Sequence, residues 1–375
     1  MSSLYIHIPF CRTRCIYCDF CSSTLGVDEQ AAYAEALCSE IANRQCEAGN
    51  EPIHSIYFGG GTPSMLNLRL LEKILSSLRQ TFRIEADAEV TIEANPDDIN
   101  LSRIEGWMRL GFNRLSLGVQ SLNDDMLQLL HRRHTAQQAI EAVQMAQQAG
   151  MSNISIDLMY GLPSLSLSAW DDTLSRTLSL PVTHLSAYCL TIEQRTPIAQ
   201  AIQDGSLSLP EDEQCEAAYR LLVERTRQAG FVHYEISNFA REGYRSRHNS
   251  GYWNGTPYIG LGAGAHSFDG SVRRANTTDV KAYILSDGHP VCEMEQLSRT
   301  AQINEMIFLS LRTANGLHTD IFQQRFGTAS LEQLLKQAQK HILAGKLTLQ
   351  HNVLRLSADG VFVSDDIMSD LIFID

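Results

Sequence analysis

Residues 1–21 read MSSLYIHIPFCRTRCIYCDFC. A short apolar run, Leu4 to Ile8, meets Pro9 and then three cysteines, Cys11, Cys15 and Cys18, in the spacing C-x3-C-x2-C. The run reads as a first strand with a ligand loop at its end. Three thiolates so close cannot all be bridged to one another. They can bind three irons of a [4Fe-4S] cubane and leave the fourth iron without a protein ligand, open for chemistry. A zinc knuckle and a chance cluster of surface thiols are the alternatives. Zinc sites more naturally use paired C-x2-C units or a nearby histidine spacing.

Outward from this segment, strand and helix patterns alternate for about 230 residues. Apolar spacing predicts a helix over 28–42, with Asp28 as its N-cap. A strand over 53–58 runs into Gly59-Gly60-Gly61-Thr62-Pro63. Helices over 68–78, 101–110, 135–148, 167–178 and 211–228 separate strands over 89–94, 113–119, 154–159, 184–189 and 232–236. Such alternation argues for a parallel sheet covered by helices. An open doubly wound sheet and a barrel both satisfy it, and periodicity does not choose between them.

From about Asn238 the character changes. Residues 238–264 are rich in Asn, Gly, Tyr and Arg, so 238–298 reads as a connector. Within it Gly260-Leu261-Gly262-Ala263-Gly264-Ala265 satisfies G-x-G-x-x-A, but neither a strand before it nor a helix after it is clear, so a plain structural connection is preferred. Residues 299–375 read as a separate module of three helices and two strands, 347–350 and 353–356. His351-Asn352 supplies the hairpin turn between those strands. The pattern resembles a winged helix. From Val291 onward, however, there are seven Lys/Arg against ten Asp/Glu, which favours packing or partner docking over nucleic acid.

Composition points the same way. The chain of 375 residues has 43 acidic and 30 basic residues, a formal net charge of −13, which excludes a typical nucleic-acid binder. No apolar stretch is long enough to span a bilayer and no secretory signal is visible, so the expected location is the cytoplasm. Nine cysteines without a pairing framework fit a reducing compartment. Cys38, Cys189 and Cys215 read as small buried hydrophobes.

The run YIHIPFCRTRCIYCDF, together with GGGTP, resembles the radical S-adenosylmethionine (SAM) enzymes related to oxygen-independent coproporphyrinogen III oxidase. The resemblance covers essentially the whole chain. It implies a partial, six-stranded (β/α) barrel over 1–237 and a [4Fe-4S] cluster on Cys11, Cys15 and Cys18. It further implies SAM bound by Tyr5, Tyr17, Gly60, Gly61, Thr62, Glu93, Gln120, Arg132 and Asp157. Carboxylates such as Glu93 and Asp157 suit ammonium or ribose hydroxyl groups, and Arg132 suits a carboxylate. In a barrel of this kind functional groups sit past the C-terminal strand ends, where the cysteines, the glycines, Glu93, Gln120 and Asp157 all fall.

Two features separate branches of that family. The oxidase branch has a fourth cysteine two residues after the third; here that position is Phe20, and Cys21 comes one place later. Only ten residues precede Cys11. Both departures resemble the HemW-type haem chaperones, as does the H-N-x-x-Y-W stretch His248-Asn249-Ser250-Gly251-Tyr252-Trp253. The resemblance implies haem ligation by His248, for which a neutral imidazole is chemically suited. Tyr252 and Trp253 are expected to cover the porphyrin, and Arg241, Arg245 and Arg247 to meet its propionates. The resemblance further implies haem and apo-haemoprotein acceptors such as respiratory enzymes as partners, with peripheral docking at the inner membrane face. The alternative is a radical SAM oxidase that decarboxylates coproporphyrinogen III.

Overall fold

The computed structural model describes residues 2–24, 26–49 and 51–374; Met1 and Asp375, at the outer ends of the expected segments, lie outside the described residues. Six strands run parallel in chain order: β1 (Ser2–Ile8), β2 (Ile53–Gly60), β3 (Ile84–Ala94), β4 (Arg114–Gln120), β5 (Ile154–Tyr160) and β6 (His184–Cys189). Between them come α1 (Val27–Asn43), α2 (Leu68–Thr81), α3 (Leu101–Leu110), α4 (Asp124–Leu129), α5 (Ala136–Gln148) and α6 (Leu167–Leu178). Helices α7 (Pro197–Gln203) and α8 (Asp212–Gln228) follow β6. Strand order rises stepwise from β1 to β6 without closing, which is the partial barrel and not the doubly wound sheet.

Local chemistry explains these elements. Asn67 caps α2 by accepting from the Leu70 N–H, and Leu71, Ile74, Leu75 and Leu78 form its buried stripe. Thr135 and Gln138 close a capping box at α5. Helix α3 stops at Gly111, whose φ of 96° suits only glycine there. At α1 the cap is Gly26 and not Asp28; Asp28 sits inside the first turn, where its charge still favours the helix dipole.

The stretch read as a connector builds more than a connection. It supplies β8 (Asn238–Ala240), which pairs antiparallel with β6 and with β7 (Val232–Glu235). It then forms α9 (Arg247–Trp253), β9 (Tyr258–Leu261), β10 (His266–Phe268), β11 (Val272–Asn276), α10 (Val280–Leu285) and β12 (Cys292–Gln296). Strand β9 joins β1 in parallel, and β10, β11 and β12 extend that edge, giving one twelve-stranded sheet. The Gly260–Ala265 run is a tight crossing within it, followed by a strand and not a helix. A Cβ at Gly260 would stand 1.9 Å from the His266 carbonyl oxygen, and one at Gly262 2.7 Å from that of His7. Buried Glu40 of α1 fastens this run by accepting from the Gly262 N–H and the Tyr283 hydroxyl.

The C-terminal module contains α11 (Arg299–Leu311), β13 (Leu317–His318), α12 (Thr319–Phe326), α13 (Thr328–Leu343), β14 (Leu347–Gln350), β15 (Val353–Leu356) and two short helices, α14 (Ala358–Val361) and α15 (Ser364–Asp370). Its own core gathers Ile303, Ile307, Leu311, Phe322, Leu334 and Leu354. His351 and Asn352 both have positive φ, as a two-residue hairpin turn requires. The module docks against the β7–β8 turn and α9: the Ile236 N–H donates to the Arg312 carbonyl, and the Arg312 guanidinium covers the Trp253 ring of α9 at 5.3 Å. Among the described residues no helix is long and apolar enough to cross a membrane.

Candidate functional site

The C-terminal ends of the parallel strands open into a cavity of about 360 Å³. Cys11, Cys15, Tyr17, Cys18, Gly60, Gly61, Thr62, Glu93, Gln120, Arg132 and Asp157 line it. Of the residues expected at the site, Tyr5 and His248 do not.

The cysteine loop is drawn shut at its base. The Cys11 N–H donates to the Ser23 carbonyl at 2.8 Å, and the Ser23 N–H donates to that of Pro9. Arg12 pairs with buried Asp98 at 3.1 Å, which ties the loop to the turn after β3. The loop lies directly over the glycines. A Cβ at Gly61 would be 2.8 Å from the Phe10 carbonyl oxygen, and one at Gly60 2.5 Å from the His7 ring. Residue type is thus dictated by close approach on one side and an open cavity on the other. Burial raises the thiol pKa values of Cys11 and Cys18, the latter to about 11. A cation is needed to hold these sulfurs as thiolates. Arg132 lies close, with Nη1 3.2 Å from the Cys15 Sγ.

Glu93 is one of the two carboxyl groups buried in the cavity wall, with Asp157. Its Oε1 accepts from the Tyr57 hydroxyl at 2.7 Å and its Oε2 from the Gly60 N–H at 3.2 Å. Burial nevertheless raises its pKa to about 7, a carboxylate waiting for a positive or hydrogen-donating partner. Burial also raises the pKa of Asp157, while Ser116 donates to both its oxygens. Gln120 closes β4 with a φ of 68°, a strained value for this residue type that turns its side chain at a strand end. Arg132 also donates to the Asn95 Oδ1 and the Gly118 carbonyl, yet its buried Nε has no partner among the described residues. An unmatched guanidinium donor, three thiols lining one cavity and an ionisable buried carboxylate fit a cationic cluster with an amino-acid ligand.

Residues that sequence reasoning passed over complete the site. Tyr57 orients Glu93. Asn95 bridges Arg132 and Thr62. His7 joins the Tyr5 hydroxyl (3.1 Å) to the Cys21 carbonyl (2.8 Å), so Tyr5 acts one layer beneath the cavity. Gly59 permits this convergence, since a Cβ there would meet Tyr57, Glu93 and Tyr5 within 3.1 Å. The alternation of inward side chains along β2, with Tyr57 and Gly59 on one face, was the available signal.

The His248 region lies at the opposite end of the barrel. Its α9 plugs the N-terminal strand ends. Ser246 caps the helix through the Asn249 N–H, and Glu89 of β3 accepts from the Arg247 and His248 N–H groups. The His248 ring is 1 % exposed. Its Nδ1 meets the Ser55 hydroxyl at 3.1 Å and its Nε2 the Tyr252 hydroxyl at 2.9 Å. Burial lowers its pKa to about 3, so the imidazole is neutral. The three arginines expected at the propionates all have other partners: Arg247 is paired with Asp87, Arg241 lies over Phe231 and Arg245 over Tyr234. Trp253 is half-buried under Arg312. The lone cysteines also differ from expectation: Cys189 is exposed at the end of β6, Cys215 is partly buried in the first turn of α8, and Cys38, in the body of α1, is partly buried while packing against the core.

Comparisons with known proteins agree with this architecture. A model of the radical SAM superfamily matches residues 5–176, and one of the HemN C-terminal domain matches residues 297–363. The chain is 36 % identical over 346 residues to the heme chaperone HemW of Bacillus subtilis, covering 91 % of each. It is 37 % identical to the Synechocystis heme chaperone HemW, covering 84 % of this chain and 79 % of that one. It is 34 % identical to the mitochondrial radical S-adenosyl methionine domain-containing protein 1 of Bos taurus, covering 99 % and 87 %. The structure of Escherichia coli coproporphyrinogen III oxidase HemN superposes with a TM-score of 0.85 over 99 % of this chain and 89 % of that one. At 24 % identity, that likeness speaks for the fold.

Proposed function

This chain belongs to the HemW family of radical SAM proteins, and on that premise we propose that it is a haem chaperone, binding haem as cargo and passing it to apo-haemoproteins. The observation that carries the reading is the identity of 36 % to a heme chaperone over 91 % of both chains. The absence of the oxidase branch's fourth cysteine, with Phe20 in its place, supports it.

Cys11, Cys15 and Cys18 would hold a [4Fe-4S] cluster, whose chemistry is to chelate SAM at the open iron and to supply one electron for sulfonium cleavage. Around it the protein's own groups bind and orient. Glu93, fixed by Tyr57 and Gly60, accepts a hydrogen bond from the SAM amino group. Arg132, whose side chain lines the cavity, would pair with its carboxylate. Gly60, Gly61 and Thr62 present backbone without obstruction, and Gln120, Asp157 and Tyr17 complete the enclosure. Tyr5 supports this layer from below.

Haem is assigned to the α9 end. His248 is neutral across the physiological range, as an iron ligand must be. Ligation through Nε2 exchanges the Tyr252 hydroxyl for iron, and it requires α9 to part from its packing under α11. Loading is therefore coupled to local opening at the lower end of the barrel.

The test is a haem titration of the anaerobically reconstituted chain, followed at the Soret band, with His248→Ala in parallel. Saturable binding that weakens or changes spectrum in the variant is the expected result. Absence of saturable binding, with porphyrin formed from coproporphyrinogen III, replaces the chaperone with an oxidase.

A further inference from the structure

The two ends of the barrel are physically joined through its lumen. The His248 ring stacks on the Tyr57 ring at 5.0 Å with an interplanar angle of 25°. The hydroxyl of the same Tyr57 donates to Glu93 at 2.7 Å. Tyr5 also packs against Tyr57, at 6.3 Å, and lies 6.3 Å from His248, so the three rings form a triangle. Beneath His248 the chain of contacts continues outward: Ser55 donates to Ser3, which lies 3.4 Å from the partly exposed His54 ring. Tyr57 is thus clamped by an aromatic ring at one end and holds the carboxylate at the other.

We propose that Tyr57 is a positioning residue that couples His248 to Glu93, so that the seating of the His248 ring sets how tightly the upper cavity holds SAM. The proposal rests on the reading that Glu93 contacts SAM. The physical argument is geometric. A phenol hydroxyl fixes one lone pair of Glu93 only while its ring is held in plane, and His248 supplies the nearest ring face that holds it. When His248 leaves to ligate iron, the Tyr57 ring loses that face and Glu93 loses a fixed donor. Coupling of this kind is reciprocal: SAM on Glu93 also favours the seated histidine.

The experiment measures SAM affinity of the reconstituted full chain in wild type, Tyr57→Phe, His248→Phe, His248→Leu, the Tyr57→Phe/His248→Leu double variant and Glu93→Gln. Phenylalanine at the histidine position keeps a ring against Tyr57 without ligating nitrogens, and leucine fills the space without a ring. Tyr57→Phe is expected to weaken SAM binding about tenfold, the usual scale for a hydrogen bond to a charged group. His248→Leu weakens it several-fold when Tyr57 is present and has no further effect in the Tyr57→Phe background. His248→Phe retains SAM affinity while losing haem.

A pH series supplies a readout that mere destabilisation would not move. The groups facing Glu93 are Tyr5 of β1, Tyr57 of β2, Asp157 of β5, Tyr188 of β6 and Tyr252 of α9. The Tyr57 hydrogen bond favours the carboxylate, so SAM affinity falls as pH drops through about 7, and Tyr57→Phe moves that inflection upward. Additive effects of Tyr57→Phe and His248→Leu, or an unmoved inflection, overturn the coupling while leaving the site reading intact. Wild-type SAM affinity in Glu93→Gln overturns the site reading and the coupling with it.

Discussion

The upper and lower ends of this barrel are built on opposite principles. At the upper end, groups are left unfinished: the three loop thiols, the unmatched Nε of Arg132, a carboxylate with a pKa near 7 and a strained Gln120. At the lower end two histidines are finished. His248 lies between the Ser55 and Tyr252 hydroxyls, and His184 between those of Ser155 (2.7 Å) and Tyr234 (2.8 Å). The same Ser–His–Tyr arrangement occurs twice, on different strands. An unfinished site is ready to receive a ligand and costs stability without one. A finished site stabilises the fold and must open to bind.

This contrast can be broken or sharpened by substitution. The largest effect is expected from Cys15→Ala, which removes one of the three proposed cluster ligands. Iron–sulfur absorbance and SAM binding should both be lost, while far-ultraviolet circular dichroism stays unchanged; unfolding instead would mean that the loop is a structural element. Next comes Gly61→Ala. Its Cβ would press on the Phe10 backbone at 2.8 Å, and overpacking against backbone should cost about 3 kcal/mol in denaturant unfolding. Gly255→Ala, with open space around it, should cost only about 1 kcal/mol, from its positive φ.

Then the pH dependences of the two ends should run in opposite directions. Glu93 titrates near 7 in the folded chain against an ordinary 4.5, so its penalty is absent at low pH and grows as pH rises from about 4.5 through about 7. Glu93→Gln should therefore raise stability at pH 8 by about 2 kcal/mol, reduced from the full shift because the carboxyl faces an open cavity. His248 has its pKa lowered to about 3 by burial, so its contribution is present above about pH 6.5 and is lost as pH falls toward 3. His248→Phe should flatten acid destabilisation between about pH 6 and about pH 4 by roughly one proton, about 1.4 kcal/mol per pH unit. Equal slopes in variant and wild type would show that His248 is charged in the folded chain.

Much of the upper end was written locally in the sequence. The C-x3-C-x2-C loop, the glycines after β2 and the ends of β3 to β5 are each set within a few residues of one strand. A parallel sheet then carries all of them to one edge, because each strand enters from the same side. Helices α3 and α6 and the hairpin at His351-Asn352 follow from spacing and turn chemistry alone, and they lie where the pattern puts them.

Tertiary structure alone decided the rest. Strands β8 to β12 are three to five residues long, too short to carry a period, and their pairing depends on edges made far away in the chain. The seven-residue α9 forms because Glu89, more than 150 positions earlier, meets its first N–H groups. Nothing near His248 in sequence says that its ring stacks on Tyr57, or that Tyr57 ends on Glu93. The identity of a ligand loop is fixed by covalent neighbours, which the sequence contains directly. The burial, protonation and partners of a side chain are fixed by whatever folds against it, and that is settled only when distant segments meet.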